Sequence, residues 1–197
     1  MTLISEPVHA ELICAYRAPG RHYHDLRHIE VLLGFADTCA DAIADREAVE
    51  AAIWFHDAIC DTRCRDNEER SAALAVARLA GTTDDDRIAR IAAMIRATAG
   101  HVLPDFADAA ARRDCALFLD MDLAILGSRP AEFDAYEAAV RREYDWVLDP
   151  QWKLGRRALL AQLLGRPAIY ATRHFRASHE AAARRNLARA IARLDLA

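Results

Sequence analysis

Two imidazoles and two carboxylates stand in this chain where apolar side chains would be expected. His56 and Asp57 interrupt the run AAIWFHDAIC (51–60), His28 shares a helical face with Val31, Leu32 and Phe35, and Asp122 lies within CALFLDMDLAILG (115–127). A buried polar group without a partner costs roughly 2–7 kcal/mol, and a buried carboxylate costs more unless it takes up a proton. One divalent cation shared by His28, His56, Asp57 and Asp122 would remove that cost. Mixed imidazole and carboxylate ligands suit Mn, Mg, Fe, Co, Ni or Zn, and the ligand types alone do not choose among them. Such a set leaves coordination positions for water and substrate. The chemistry is then metal-assisted hydrolysis, in which the cation lowers the pKa of a water and polarises the group under attack.

Other residues extend this constellation. Asp122 has Phe118, Leu119, Ile125 and Leu126 three and four positions away, while Asp120 has Ala116, Leu117, Leu123 and Ala124, so the two acids are near-equal candidates. His24 precedes His28 by four positions and would contact substrate or support the ligands from the same face. Glu68 is a candidate for orienting or deprotonating the attacking water, against the plainer reading of a first-turn acid favoured by the helix dipole. His101 follows a helix end and would bind substrate phosphate or a second metal, with a surface-loop role equally open. Arg21, Arg27, Lys153 and Arg156 are candidate phosphate holders, although 26 basic residues make any single choice weak. Tyr144, Trp146 and Trp152 could wall a base-sized pocket, yet aromatics so spaced more often belong to a core.

The elements that must position these residues read as helices throughout. Ala, Leu, Arg and Glu dominate, apolar residues recur at three and four, and β-branched runs are absent. The pattern predicts helices over 5–17, 23–43, 46–59, 67–80, 84–99, 109–126, 129–147, 151–165 and 178–195. Asp66 with Glu69 and Thr83 with Asp86 have capping-box spacing, and Ser128 precedes Pro130 as a cap would. Gly81, Gly100 and Gly127 fall where helices should close. Linkers are short, with no repeat and no low-complexity tract. The expected architecture is a single all-α domain over 1–197, with a core at about 16–126 and C-terminal helices 128–195 packed on it.

Composition narrows the class further. Apolar residues make up 53% and charged residues 28%, which is globular rather than disordered. A net charge of -4 offers no basic stripe to a nucleic-acid backbone, so binding to a nucleic-acid polymer is not expected, though a nucleotide substrate remains open. No run reaches the ~18 apolar residues of a membrane span, and the N-terminal stretch carries acids where a signal peptide needs basic residues. The five cysteines form an odd, scattered set, read as reduced thiols in a cytoplasmic protein, mostly buried.

The ordered series HDLRHIEVL (24–32), WFHDAI (54–59) and MDLAIL (121–126) resembles the HD superfamily of metal-dependent phosphohydrolases. More narrowly, RHYHDLRHI (21–29), AIWFHDAICD (52–61), DNEERSA (66–72), ATAGH (97–101), DMDLAILG (120–127) and IYATRHF (169–175) are similar to the predicted phosphohydrolases of that superfamily, over about residues 16–190. The resemblance implies an HD-type helical bundle with His28, His56, Asp57 and Asp122 as ligands, and it favours Asp122 over Asp120. Cys60 departs from the pattern, standing where an aromatic residue is more usual. The implied activity is hydrolysis of a phosphate ester of a nucleotide or other small phosphorylated metabolite, with Asp57 bridging ion and nucleophile and Glu68 or His101 assisting proton transfer. A ligand-sensing HD domain without turnover and a di-iron oxygenase using His24 and His101 are the alternatives. A homodimer is one option for the assembly.

Overall fold

The computed structural model describes residues 3–196. These residues are 70% helical, with nine α-helices and no strand, so the fold is all-α as the periodicity predicts. The chain divides into two compact units, the first ending at Asp122 and the second beginning at Leu123. Among the described residues no helix is long and apolar enough to cross a membrane.

The first unit holds α1 (Glu6–Tyr16), α2 (Leu26–Thr38), α3 (Arg46–Phe55), α4 (Asn67–Leu79), α5 (Asp85–Ala97) and α6 (Ala109–Asp122). Central among them is α3, which packs against α2, α4, α5 and α6. Its buried residues Ala48, Val49, Ala51, Ala52, Ile53 and Phe55 are mostly small, so four neighbours can approach it closely. Ile29, Leu32 and Ala36 of α2 face inward with His28, whereas Val31 is 55% exposed and lies off the buried face expected for it. The i, i+3, i+7 spacing of Ile29, Leu32 and Ala36 sets the stripe, and Val31 falls outside it.

Aspartates start four of these helices. Asp25 accepts the N–H groups of Arg27 (2.9 Å) and His28 (3.4 Å), Asp45 that of Ala48 (3.1 Å), Asp84 that of Arg87 (2.7 Å), and Asp108 those of Ala110 (3.0 Å) and Ala111 (3.1 Å). Each thereby satisfies donors that a helix N-terminus leaves without intrahelical partners. The capping-box expectations fail in detail. Asp84 takes the place assigned to Thr83; Asp66 makes no side-chain cap, and Glu69 instead accepts a hydrogen bond from Arg96 at 2.6 Å. Buried Asp114 of α6 accepts the N–H groups of Ala44 (2.9 Å) and Asp45 (2.8 Å), while Arg87 of α5 pairs with Asp45. The start of α3 is thus tied to both α5 and α6.

Several helices are shorter than the periodicity predicts. α2 begins at Leu26 and ends at Thr38, followed by a 3₁₀ turn at Ala40–Ala42. α3 ends at Phe55 and α6 at Asp122, with a 3₁₀ segment over Leu123–Gly127. In each case apolar residues continue past the hydrogen-bonded helix, so the pattern overshoots.

The second unit holds that 3₁₀ segment with α7 (Pro130–Glu143), α8 (Asp149–Leu164) and α9 (Arg173–Leu196). Phe133, Val140, Leu160, Leu163, Tyr170, Phe175, Ala183 and Leu187 form its interior. Arg129, not Ser128, occupies the N-cap of α7, and α9 begins five residues before the expected 178. Gly127 lies so close to α9 that an added Cβ would stand 2.6 Å from the Cβ of His179, so close approach rather than helix closure requires this glycine. All five cysteines are free, but only Cys39 and Cys115 are buried; Cys14 and Cys64 are exposed because one lies on the outer face of α1 and the other in the 61–66 loop.

Candidate metal centre

Two helix ends and one helix start in the first unit bring the candidate ligands together. His56 is the C-cap of α3, Asp122 is the last residue of α6, and His28 lies in the first turn of α2. Asp57 lies in the turn beyond α3 rather than a further step round that helix, as expected from sequence. His101 follows the end of α5 and has φ of 47°, the one non-glycine residue with positive φ among those described. Gly100 precedes it, so the left-handed position falls one residue later than the expected glycine closure. Helix C-termini carry partial negative charge, about half an elementary charge each, which favours a cation where α3 and α6 end. The N-terminal end of α2 opposes this at His28.

His28 Nε2 stands 3.2 Å from His56 Nε2 and 3.2 Å from Asp122 Oδ1. Asp57 Oδ2 is 3.1 Å from His56 Nε2 and 3.8 Å from His28 Nε2, while His56 Nε2 and Asp122 Oδ1 are 3.7 Å apart. Ligand atoms about 2.0–2.2 Å from one ion are separated from one another by roughly 3.0–3.5 Å. The observed separations fall at or slightly beyond that spacing. Ligating atoms of His28, His56 and Asp122 all lie within 4.8 Å of one another, a group that could hold a metal ion; Asp57, expected as a fourth ligand, is not part of that group and touches its edge through the two imidazoles.

The tautomer suits ligation as well. His56 Nδ1 donates to the Ile53 carbonyl at 2.8 Å, which leaves Nε2 with its lone pair toward the cluster. Phe118 closes the back of the ring edge-on, with centroids 5.7 Å apart. The carboxylate of Asp122 is shared: its other oxygen, Oδ2, is 2.8 Å from His101 Nε2. Donor type, spacing and tautomer therefore all fit a divalent cation.

Electrostatics follow from burial and proximity. Burial pushes His56 down, but the carboxylates of Asp57 and Asp122 outweigh it and raise its pKa from 6.5 to about 9. Burial pushes the Asp57 and Asp122 carboxyls up, yet the neighbouring imidazoles prevail and hold both well below the ordinary carboxylate range. In the protein without an ion, these groups compensate one another.

The remaining sequence candidates separate into two sets. His24 lies before α2 rather than on it, so the expected helical i, i+4 relation to His28 does not hold; its ring is nevertheless 6.2 Å from that of His28, and its charge acts on Asp57. Asp120 is buried but outside the group that gathers around His28, because residues two apart on a helix point about 200° apart. Glu68 is half-buried in the first turn of α4 and makes no hydrogen bond or ion pair with the cluster among the described residues.

Among the proposed phosphate holders, Arg27 is exposed and pairs with Asp25 at 3.0 Å, and Arg156 is buried against Glu137 and Tyr136 in the second unit. Arg21 donates to three backbone carbonyls. Tyr144 and Trp152 pack together in the second unit, with ring centroids 5.6 Å apart, and Trp146 is 42% exposed.

Sequence reasoning missed Tyr23, whose ring lies 4.9 Å from that of His28, and Tyr16, whose hydroxyl donates to the Trp54 carbonyl at 3.0 Å. The available signal was the absence of any glycine between Gly34 and Gly81, which leaves the end of α3 in need of side-chain donors. No family model matches the chain, and no curated protein or solved structure matches it.

Proposed function

We propose that this protein is a metal-dependent phosphohydrolase of the HD type, acting on a phosphate ester of a nucleotide or another small phosphorylated metabolite. The observation that carries the reading is the convergence of His28, His56, Asp57 and Asp122 from α2, the end of α3 and the end of α6. A bound divalent ion would supply Lewis-acid polarisation of the phosphoryl group and a lowered pKa for the attacking water. His28, His56, Asp57 and Asp122 would hold it, with Asp57 also holding the nucleophile's proton. His101 keeps the Asp122 carboxylate oriented through Oδ2, and His24, whose charge acts on Asp57, would contact the substrate phosphate.

Elemental analysis joined to a panel of phosphate monoesters and diesters tests the proposal. The wild-type protein is expected to hold a divalent metal and to hydrolyse at least one class on the panel. His56→Ala, Asp57→Ala and Asp122→Asn should lose metal and turnover with helix content retained, while Asp120→Asn should keep the metal. Unchanged metal stoichiometry in the first three variants would refute the ligand assignment. Metal without turnover across the panel would favour ligand sensing, and two irons with an oxygen-dependent spectrum would favour the oxygenase.

A further inference from the structure

The turn that carries Asp57 is held by side chains from outside α3. The last carbonyls of a helix have no intrahelical donor, and a glycine in left-handed conformation often supplies the closing geometry. Here the segment WFHDAIC contains no glycine. Five acceptors in and beside it are met one by one. The Ile53 carbonyl accepts from His56 Nδ1 at 2.8 Å, that of Trp54 from the Tyr16 hydroxyl at 3.0 Å, and that of Phe55 from the Ala58 N–H at 3.0 Å. The carbonyls of Asp57 and Ala58 accept from Arg21, through Nη1 at 2.7 Å and Nη2 at 2.8 Å. Arg21 Nη1 also donates to the His24 carbonyl at 2.9 Å, and the guanidinium stands 5.0 Å from the Tyr16 ring centroid.

We propose that Arg21 is a positioning residue of the metal centre: its guanidinium fixes the Asp57 turn and joins it to the His24 segment. The proposal rests on the metal-binding reading above. Asp57 lies beyond the last turn of α3, so helical hydrogen bonds do not hold its peptide; the Arg21 bond at its own carbonyl does. Arg21 reaches this turn through backbone carbonyls, those of Asp57 and Ala58. A planar fork with donors in fixed directions can serve three carbonyls at once. A lysine ammonium, a point charge on a flexible stem, cannot reproduce that geometry.

Cobalt(II) binding to the full-length protein, with no substrate present, provides the test. Arg21→Ala and Arg21→Lys should each weaken Co²⁺ binding at least tenfold and change its visible absorption in the same sense as Asp57→Asn. Millimolar guanidinium should restore affinity and spectrum in Arg21→Ala. With no substrate present, a residue that only held phosphate would leave Co²⁺ affinity and spectrum unchanged in both variants, and wild-type behaviour of Arg21→Lys alone would show that charge suffices without the planar fork and overturn the proposal. Wild-type affinity and spectrum in both variants would overturn the proposal, and loss of helix content in both would reduce Arg21 to a folding residue and overturn it equally. Absence of Co²⁺ binding by the wild-type protein would instead sink the metal-binding reading itself.

Discussion

His56 has one state that suits the ion and another that suits its neighbours. Without metal, its imidazolium is held by Asp57 and Asp122, which raise the pKa from 6.5 to about 9. A raised imidazole pKa contributes stability that is complete below about pH 6.5 and is lost as pH climbs through about 9. Metal-free protein should therefore weaken across that window, by at most about 3 kcal/mol, read from urea melts in chelator. A bound cation needs the neutral ring, so binding must displace the proton and metal affinity should rise with pH over the same range. Melts of equal midpoint at pH 6.5 and 9, with pH-independent metal affinity, would mean that His56 carries no such proton.

At the scale of helices, the site depends on where α3, α5 and α6 begin as well as where they end. Asp114 is buried and its two oxygens accept the N–H groups of Ala44 and Asp45, just before α3. Asp114→Ala removes both acceptors and leaves two donors to find others, a loss on the order of 2–4 kcal/mol. Denaturant unfolding should show it, and a variant within 0.5 kcal/mol of wild type (about the scatter of neutral surface changes) would show that water replaces the carboxylate without cost. The sequence does not reveal Asp114, because an acid followed by apolar residues looks the same whether it faces solvent or two amides. His28, His56, Asp57 and Asp122 were legible because charge interrupts an apolar face, a signal that needs no tertiary knowledge. All-helical content was legible for a related reason, since the three-and-four recurrence extends over most of the chain. What periodicity cannot supply is the last turn of each helix. Asp57 and Asp122 both lie where apolar spacing continues but the i to i−4 ladder stops, and His24 precedes a helix that the pattern placed around it.

At the scale of the whole molecule, the proposed ligand residues are far apart in the chain and close only when the first unit is folded. His28 and Asp122 come from its second and sixth helices, and His56 and Asp57 from the end of the third. An unfolded chain cannot present these atoms within a few ångströms of one another, so a cation that uses all of them binds the native state far more tightly. Stabilisation by such a ligand is RT ln(1 + [L]/Kd), about 2.7 kcal/mol at a hundredfold excess over Kd. Chelation should then lower the melting temperature of the wild-type protein by roughly 5–15 °C, the shift expected of a domain of this size for that free energy. Readdition of metal should restore it. The internal control is the ligand-deficient protein: His56→Ala should melt at the same temperature with and without chelator. A chelator effect that persists in His56→Ala would place the stabilising ion elsewhere, whereas a wild-type protein indifferent to both chelator and added metal would leave the gathered imidazoles and carboxylates as a self-compensating buried cluster.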